Sequence, residues 1–236
     1  MSGHSKWATT HRQKSAADAK RSASFTKLAN AITIAARNGA DLDANFTLRL
    51  AIDKAREANM PKDNIERAVK RGSGATDGNA QLESVVYEAF GPNQVALIIE
   101  AITDNKNRTV SEVKNTLTKN GGQLAGPNSV RWMFELLGVI TITAKLDEAL
   151  ELHLIDAGAR DMIQRDDATV VYCESTDLQV VRQAIQTAGH TINEASLAYI
   201  PKELVSLSEP DQERLEKLFA ALETLDEVSE IYTNAG

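Results

Sequence analysis

Near its C-terminus the chain reads LVSLSEPDQERLEKLFAALETLDEVSEIY, residues 204–232, and this stretch decides how the rest is assembled. Residues 204–207 read as a short strand. Glu209-Pro210-Asp211 opens a helix carrying Leu215, Leu218, Phe219 and Leu222 at helical spacing, and residues 228–232 read as a closing strand. A β-α-β piece of this size cannot bury its own apolar face. Residues 82–134 have the complementary deficit. Strands are expected over 82–90 and 95–103 around the turn Gly91-Pro92-Asn93-Gln94. A helix with Val113 and Leu117 is expected to open at the capping box Thr109-Val110-Ser111-Glu112 and to close at Gly121-Gly122, but no second helix follows. Joining the two pieces completes one two-layer sandwich.

The intervening residues form a unit of their own. Strands are expected over 129–136 and 139–143 across Gly138, a helix over 147–157, strands near 160–164 and 169–174, a helix over 178–188 stopped by Gly189, and a strand near 193–199. At the other end, Phe25, Leu28, Ala29, Ile32 and Ala36 mark a helix stopping at Gly39. Residues 44–59 mark a second, capped by Asp41 or Asp43. A third has Pro61 in its first turn, carries Ile65, Ala68 and Val69, and ends in Lys70-Arg71-Gly72. Residues 14–24 read as a weakly packed helix or an arm that orders on binding. The run from Gly72 to Ala80 has linker composition. The expected fold is therefore α+β in three domains: a basic helical bundle with its linker (1–80), a discontinuous two-layer domain (81–134 with 199–236), and a second two-layer domain inserted in it (135–198).

Charge is distributed as unevenly as structure. Residues 1–72 hold 14 Lys and Arg against 7 Asp and Glu, net +7, whereas residues 73–236 hold 12 against 26, net −14. Such asymmetry describes a cationic segment that seeks a polyanion, carried on a body that repels one. Apolar runs such as 95–99 and 139–142 are far shorter than the roughly 18 residues a membrane helix needs. The opening Met-Ser-Gly-His-Ser-Lys-Trp lacks a signal-peptide core and reads as mature sequence. The single cysteine, Cys173, fits a reducing compartment and reads as strand filling.

The candidate site follows from the cations. Lys6, Arg12, Lys14, Lys20, Arg21 and Lys27 are the expected phosphate contacts, with Trp7 and His11 placed among them to meet bases or sugars. Residues 103–109, with Lys106 and Arg108, read as a polar loop before a capped helix, where backbone amides can meet an anion. The other cations of the helical segment, from Arg49 to Arg71, read as surface pairs of neighbouring acids. His4, His11, His153 and His190 have no ligand spacing, so neither metal nor cofactor is expected. No phosphate-cradling or nucleophile motif is present, and neither an enzyme nor a small-molecule substrate is expected.

Several of these runs carry a resemblance. Gly3-His4-Ser5-Lys6-Trp7, Asp18-Ala19-Lys20-Arg21, Phe25-Thr26-Lys27-Leu28, residues 50–55, residues 59–68 and residues 103–109 closely resemble the YebC family, as do Gly121-Gly122 and Gly138-Val139-Ile140. The resemblance implies a three-domain protein with a helical N-terminal domain and two α+β domains, one inserted into the other. It also implies a cytoplasmic, probable transcriptional regulator that binds DNA. A mitochondrial relative is instead a translational activator, and bacterial members are linked to translation of proline-rich stretches on the ribosome. Gln13, Ala23 and Leu136-Leu137 stand where the family tends to be basic or charged, which implies weaker polyanion binding and a diverged paralogue. The expected function is a non-enzymatic nucleic-acid-binding regulator of gene expression acting on DNA. The alternative is a ribosome- or RNA-associated translation factor, and a third reading makes the acidic domains a protein adaptor. The oligomeric state is left open.

Overall fold

The computed structural model describes residues 18–42, 44–74, 82–165 and 168–236, with side chains from residue 25 onward. The protein is α+β, and its described residues form seven α-helices and two four-stranded sheets. It divides into two compact units, Met1–Phe134 with Pro201–Gly236, and Glu135–Ile200.

In the first unit, α1 (Asp18–Ala35) runs into a 3-10 turn at Ala36–Asn38 and stops at Gly39, whose φ of 120° suits a residue without a Cβ. Helices α2 (Phe46–Glu57) and α3 (Lys62–Gly72) pack against it. Ile32, Ala36, Leu48, Ile52, Ala55, Ile65 and Ala68 form the shared core, with Phe25, Leu28 and Ala29 at its margin.

Two details of this trio depart from expectation, and the end of α3 at Gly72 has a packing reason. The cap of α2 is Asn45, not Asp41 or Asp43. Its Oδ1 accepts from Leu48 N–H at 3.0 Å, while its Nδ2 donates to the carbonyls of Ala35 at 2.8 Å and Gly39 at 2.6 Å. An amide can serve both the start of α2 and the end of α1, whereas a carboxylate has nothing to donate. Pro61 stands just before α3, at φ −57° and ψ 139°, rather than inside its first turn. Gly72 is the last residue of α3, where the run Lys70-Arg71-Gly72 places the end of the helix. A Cβ there would lie 2.2 Å from Thr33 O and 2.7 Å from Ala36 Cβ, so this glycine is what lets α3 cross α1 at backbone contact.

The first sheet has the order β3-β1-β2-β8, from β1 (Glu83–Phe90), β2 (Ala96–Thr103), β3 (Gln123–Leu124) and β8 (Val228–Thr233). β1 and β2 pair antiparallel in continuous register from Glu83↔Thr103 to Phe90↔Ala96. β8, about 130 residues later, pairs antiparallel with β2, Ile99 opposite Ile231. Helices α4 (Lys106–Lys119) and α7 (Glu209–Glu223) supply Val113, Leu117, Leu215, Leu218, Phe219 and Leu222 to a core with Ala89, Leu97, Ile99 and Val228. Residues 204–207 make only an isolated parallel bridge, Val205↔Ala235, rather than the expected strand.

The capping box at Thr109 also falls. Asn105 caps α4, accepting from Arg108 N–H at 3.1 Å. Thr109 is buried within the helix, its hydroxyl 2.8 Å from that of Thr103. Two local signals competed for the same turn, and burial of the Thr103–Thr109 pair decided between them.

The second unit carries a sheet of order β5-β6-β4-β7, from β4 (Phe134–Ile142), β5 (Ala159–Arg165), β6 (Ala168–Glu174) and β7 (Ile192–Pro201). Its helices are α5 (Glu148–Asp156) and α6 (Leu178–Thr187). The two expected strands around Gly138 are one continuous strand. A Cβ at Gly138 would stand 2.7 Å from Cys173 Sγ and 3.0 Å from Leu178 Cβ, so the glycine accommodates α6 rather than breaking β4. Cys173 is fully buried in β6, and burial pushes its thiol up to about 11.

Candidate nucleic-acid interface

Lys6, Trp7, His11, Arg12 and Lys14 lie outside the described residues. Lys20 and Arg21 fall in the first turns of α1. Lys20 stands seven residues before Lys27, and an ideal helix drifts only ~20° per heptad, so their Cα positions share a face. Lys27 itself meets an acidic segment of the same unit.

Lys27 Nζ donates at 2.7 Å to the carbonyl of Glu223, the last residue of α7, where helix carbonyls lack intrahelical partners. Burial lowers the Lys27 pKa, and the nearby carboxylates of Glu223, Asp226, Glu230 and Glu227 work against that shift. Lys54 of α2 pairs with Glu230 of β8. Arg108, in the first turn of α4, donates to Asp104 at 2.8 Å and to Glu227 at 2.7 Å, and these two carboxylates raise its pKa. Cations from three helices thus converge on the eight residues from Glu223 to Glu230. Lys106 is held apart from this group, 2.5 Å from Glu83 at the start of β1. No spacing in the sequence announces the convergence, because its partners lie more than a hundred residues apart.

The remaining cations of the helical segment divide in two. Arg56 and Lys62 make the expected intrahelical pairs, with Asp53 at 3.4 Å and Glu66 at 3.5 Å. Arg49 and Arg71 instead hold the fold. Arg49 Nε donates to Leu42 O at 2.9 Å, and Arg71 Nη2 donates to Thr33 Oγ1 at 2.8 Å and Asn30 Oδ1 at 3.2 Å, tying α3 to α1. An arginine that bonds buried backbone or hydroxyl groups is a structural strut, whatever its charge.

One exposed aromatic lies outside the motifs that the sequence offers. Trp132 is 63% exposed in a 3-10 turn, Arg131–Met133, rather than within a strand over 129–136. The Gly126-Pro127-Asn128-Ser129 run just before it is a turn signal that could have placed it on a loop.

Comparison with known proteins accounts for almost the whole chain. The TACO1/YebC N-terminal domain matches residues 5–75, and the TACO1/YebC second and third domain matches residues 82–235. The chain belongs to the TACO1/YebC family. Relatives named "Probable transcriptional regulatory protein" include one from Chloroflexus aggregans, 48% identical over 99% of this chain and 95% of its own length. Another, from Pseudothermotoga lettingae, is 43% identical over 99% of this chain and 93% of its own. A crystal structure of a conserved hypothetical protein from Aquifex aeolicus shares the fold with a TM-score of 0.86 and 36% identity, covering 98% of this chain and 97% of that one. Among the described residues, no helix is long and apolar enough to cross a membrane.

Proposed function

We propose that this chain is a non-enzymatic regulator of gene expression that binds nucleic acid through its basic N-terminal segment. The observation that carries the reading is the charge division, +7 over residues 1–72 against −14 over the rest. Relatives across nearly the full length bear the name of probable transcriptional regulators, which supports a regulatory role and favours DNA as the target. We assign phosphate contacts to Lys6, Arg12, Lys14, Lys20 and Arg21, and base or sugar contacts to Trp7 and His11. Lys27, Lys106 and Arg108 join them only by leaving Glu223, Glu83, and Asp104 with Glu227, so they are secondary contacts. On this reading residues 1–80 act as the binding module. The acidic remainder, with 135–198 inserted between 81–134 and 199–236, limits nonspecific adhesion, in a cytoplasmic setting consistent with one buried thiol.

A second reading, a ribosome- or RNA-associated translation factor, is favoured by a specific feature of the helical trio. Arg49 and Arg71 are engaged in structural bonds, which leaves α2 and α3 poorly furnished to read a major groove. Fluorescence anisotropy against duplex DNA, single-stranded RNA and purified ribosomes, from 50 to 300 mM salt, separates the two. Binding that falls steeply with salt, and collapses in the triple variant Lys14→Glu, Lys20→Glu, Arg21→Glu, is expected. Indifference of the wild-type protein to all three polyanions in dilute salt would overturn the assignment.

A further inference from the structure

The loop that follows β3 is built at some cost and displays an aromatic ring. Glu88, in the middle of β1, is 8% exposed, and its carboxylate accepts three backbone N–H groups of that loop. These are Asn128 at 2.6 Å, Val130 at 2.8 Å and Arg131 at 2.9 Å. Burial alone would raise the Glu88 pKa, but the three amides and the Arg131 guanidinium outweigh it and hold the carboxyl below its ordinary value. Further backbone bonds close the loop, Ser129 N to Gly126 O at 3.2 Å and Met133 N to Val130 O at 2.9 Å. Lys202 N donates to Met133 O at 2.9 Å. A buried carboxylate spent on three loop amides fixes a backbone that would otherwise fluctuate.

What the fixed backbone presents is Trp132. Its indole Nε1 donates to Ser129 O at 3.0 Å, two positions before the ring's own neighbour Arg131, so the polar edge is satisfied within the loop while the side chain remains 63% exposed. A ring held this way offers its π-faces and no unmet donor. The matching partner follows from the nucleic-acid reading and the free π-faces rather than from local charge: residues 113–134 hold no acidic residue in sequence, but Lys114 and Lys119 ride on α4, which packs on the sheet face opposite the one from which Glu88 reaches the loop. The surroundings are not purely cationic, since the Arg131 guanidinium also acts on Glu88 and Glu100.

We propose that the Trp132 loop is a second nucleic-acid contact, at which the indole stacks on one unpaired base of a single-stranded segment. Stacking on an exposed indole is sequence-tolerant, because every base has a π-face. It requires a base out of its duplex, so the loop selects single strands or RNA loops over paired DNA. Preorganisation by Glu88 keeps the ordering cost on binding small. The inference rests on the nucleic-acid reading above and adds to it a site and a preference for unpaired bases.

The test uses full-length protein and fluorophore-labelled 12-nucleotide oligo(A) and oligo(U) RNA, alongside a DNA duplex of equal length. Trp132→Ala is expected to weaken single-strand binding roughly 5- to 150-fold, the range of one stacked base. Trp132→Phe should restore part of it, and Trp132→Leu, which keeps apolar area without a π-face, should not. Quenching of wild-type tryptophan emission beyond that of Trp132→Phe isolates the ring's own signal. Unchanged single-strand affinity in Trp132→Ala, equal rescue by Leu and Phe, or equal quenching by the duplex would each overturn the proposal, as would failure of the wild-type protein to bind any single strand. The triple charge reversal keeps the two readings apart. Trp132-dependent quenching that survives it sustains the loop while refuting the arm. Loss of affinity in the triple variant together with an inert Trp132 does the reverse.

Discussion

Removing the Glu88 carboxylate should loosen the Trp132 loop by an amount that follows from its three bonds. Hydrogen bonds to a charged acceptor are worth ~1.5–3 kcal/mol each, so three set a ceiling of roughly 5–9 kcal/mol. The ceiling is not reached, because Asn128 and Arg131 are exposed and water can take over at their amides. Val130 is fully buried, and its stranded N–H keeps the full penalty. The expected cost is about 3–5 kcal/mol for Glu88→Ala and about 1–3 kcal/mol for Glu88→Gln, which retains one acceptor oxygen. Urea unfolding, with the m-value checked for constancy, reads the global effect. Amide hydrogen exchange at Val130 reads the local one, and exchange there should accelerate in both variants. The pH dependence has a defined sign. The folded-state pKa of Glu88 lies below its ordinary value of 4.5, so its contribution is complete above that value and is lost as pH falls through the folded-state pKa. The stability gap between wild type and Glu88→Gln should therefore narrow on acidification. A midpoint unchanged in Glu88→Ala, with Val130 still protected, would refute the account of the loop.

Three further expectations test the packing. Gly72→Ala should destabilise the helical trio by about 1–3 kcal/mol in thermal unfolding, despite the better helix propensity of alanine, because its Cβ would collide with Thr33 O and force α3 from α1; a gain in stability would contradict the close crossing. Asn45→Ala removes a cap and two carbonyl partners at once and should cost about 2–4 kcal/mol by denaturant titration, more than the ~1 kcal/mol of an ordinary cap, whereas Asn45→Asp should restore only the cap. Glu100 behaves oppositely to Glu88: burial, then repulsion from Glu230 opposite it on β8, raise its pKa against the pull of Tyr232, Lys54 and Arg131. Its ionised form is the unfavourable one in the fold, so Glu100→Gln should stabilise the protein at neutral pH, with the gain fading as pH falls through the folded-state pKa; equal stability of the two proteins at every pH would count against it.

Periodicity alone makes most elements legible. The stripe through Phe25, Leu28, Ile32 and Ala36, the α7 run of Leu215, Leu218, Phe219 and Leu222, and the paired strands flanking Gly91-Pro92 all lie where their spacing puts them. These segments succeed because each buries one face against a neighbour, so the pattern and the packing carry the same information. Punctuation is less dependable. Gly72 and Gly138 read as boundaries; Gly72 does close α3, but Gly138 sits inside β4, and at both the missing Cβ admits a neighbouring helix. A glycine that breaks a chain and one that admits a neighbour look alike in sequence. Caps fail for a different reason: Asn45 prevails over Asp41 through bonds to the end of the preceding helix, and Asn105 over Thr109 because the Thr109 hydroxyl is turned inward to Thr103.

The candidate interface divides along the same line. Which residues are cationic, and that they crowd the first third of a chain acidic elsewhere, was fixed by composition and order alone, because net charge needs no coordinates. Which of those cations remain available for a phosphate was decided by folding. Lys27, Lys54 and Arg108 meet the Glu223–Glu230 segment because β8 returns to pair with β2, and the loop that carries the exposed Trp132 is held by Glu88 reaching across from β1. Local sequence sets propensity and charge through near neighbours, whereas partners a hundred residues away are chosen by the closure of the sheet.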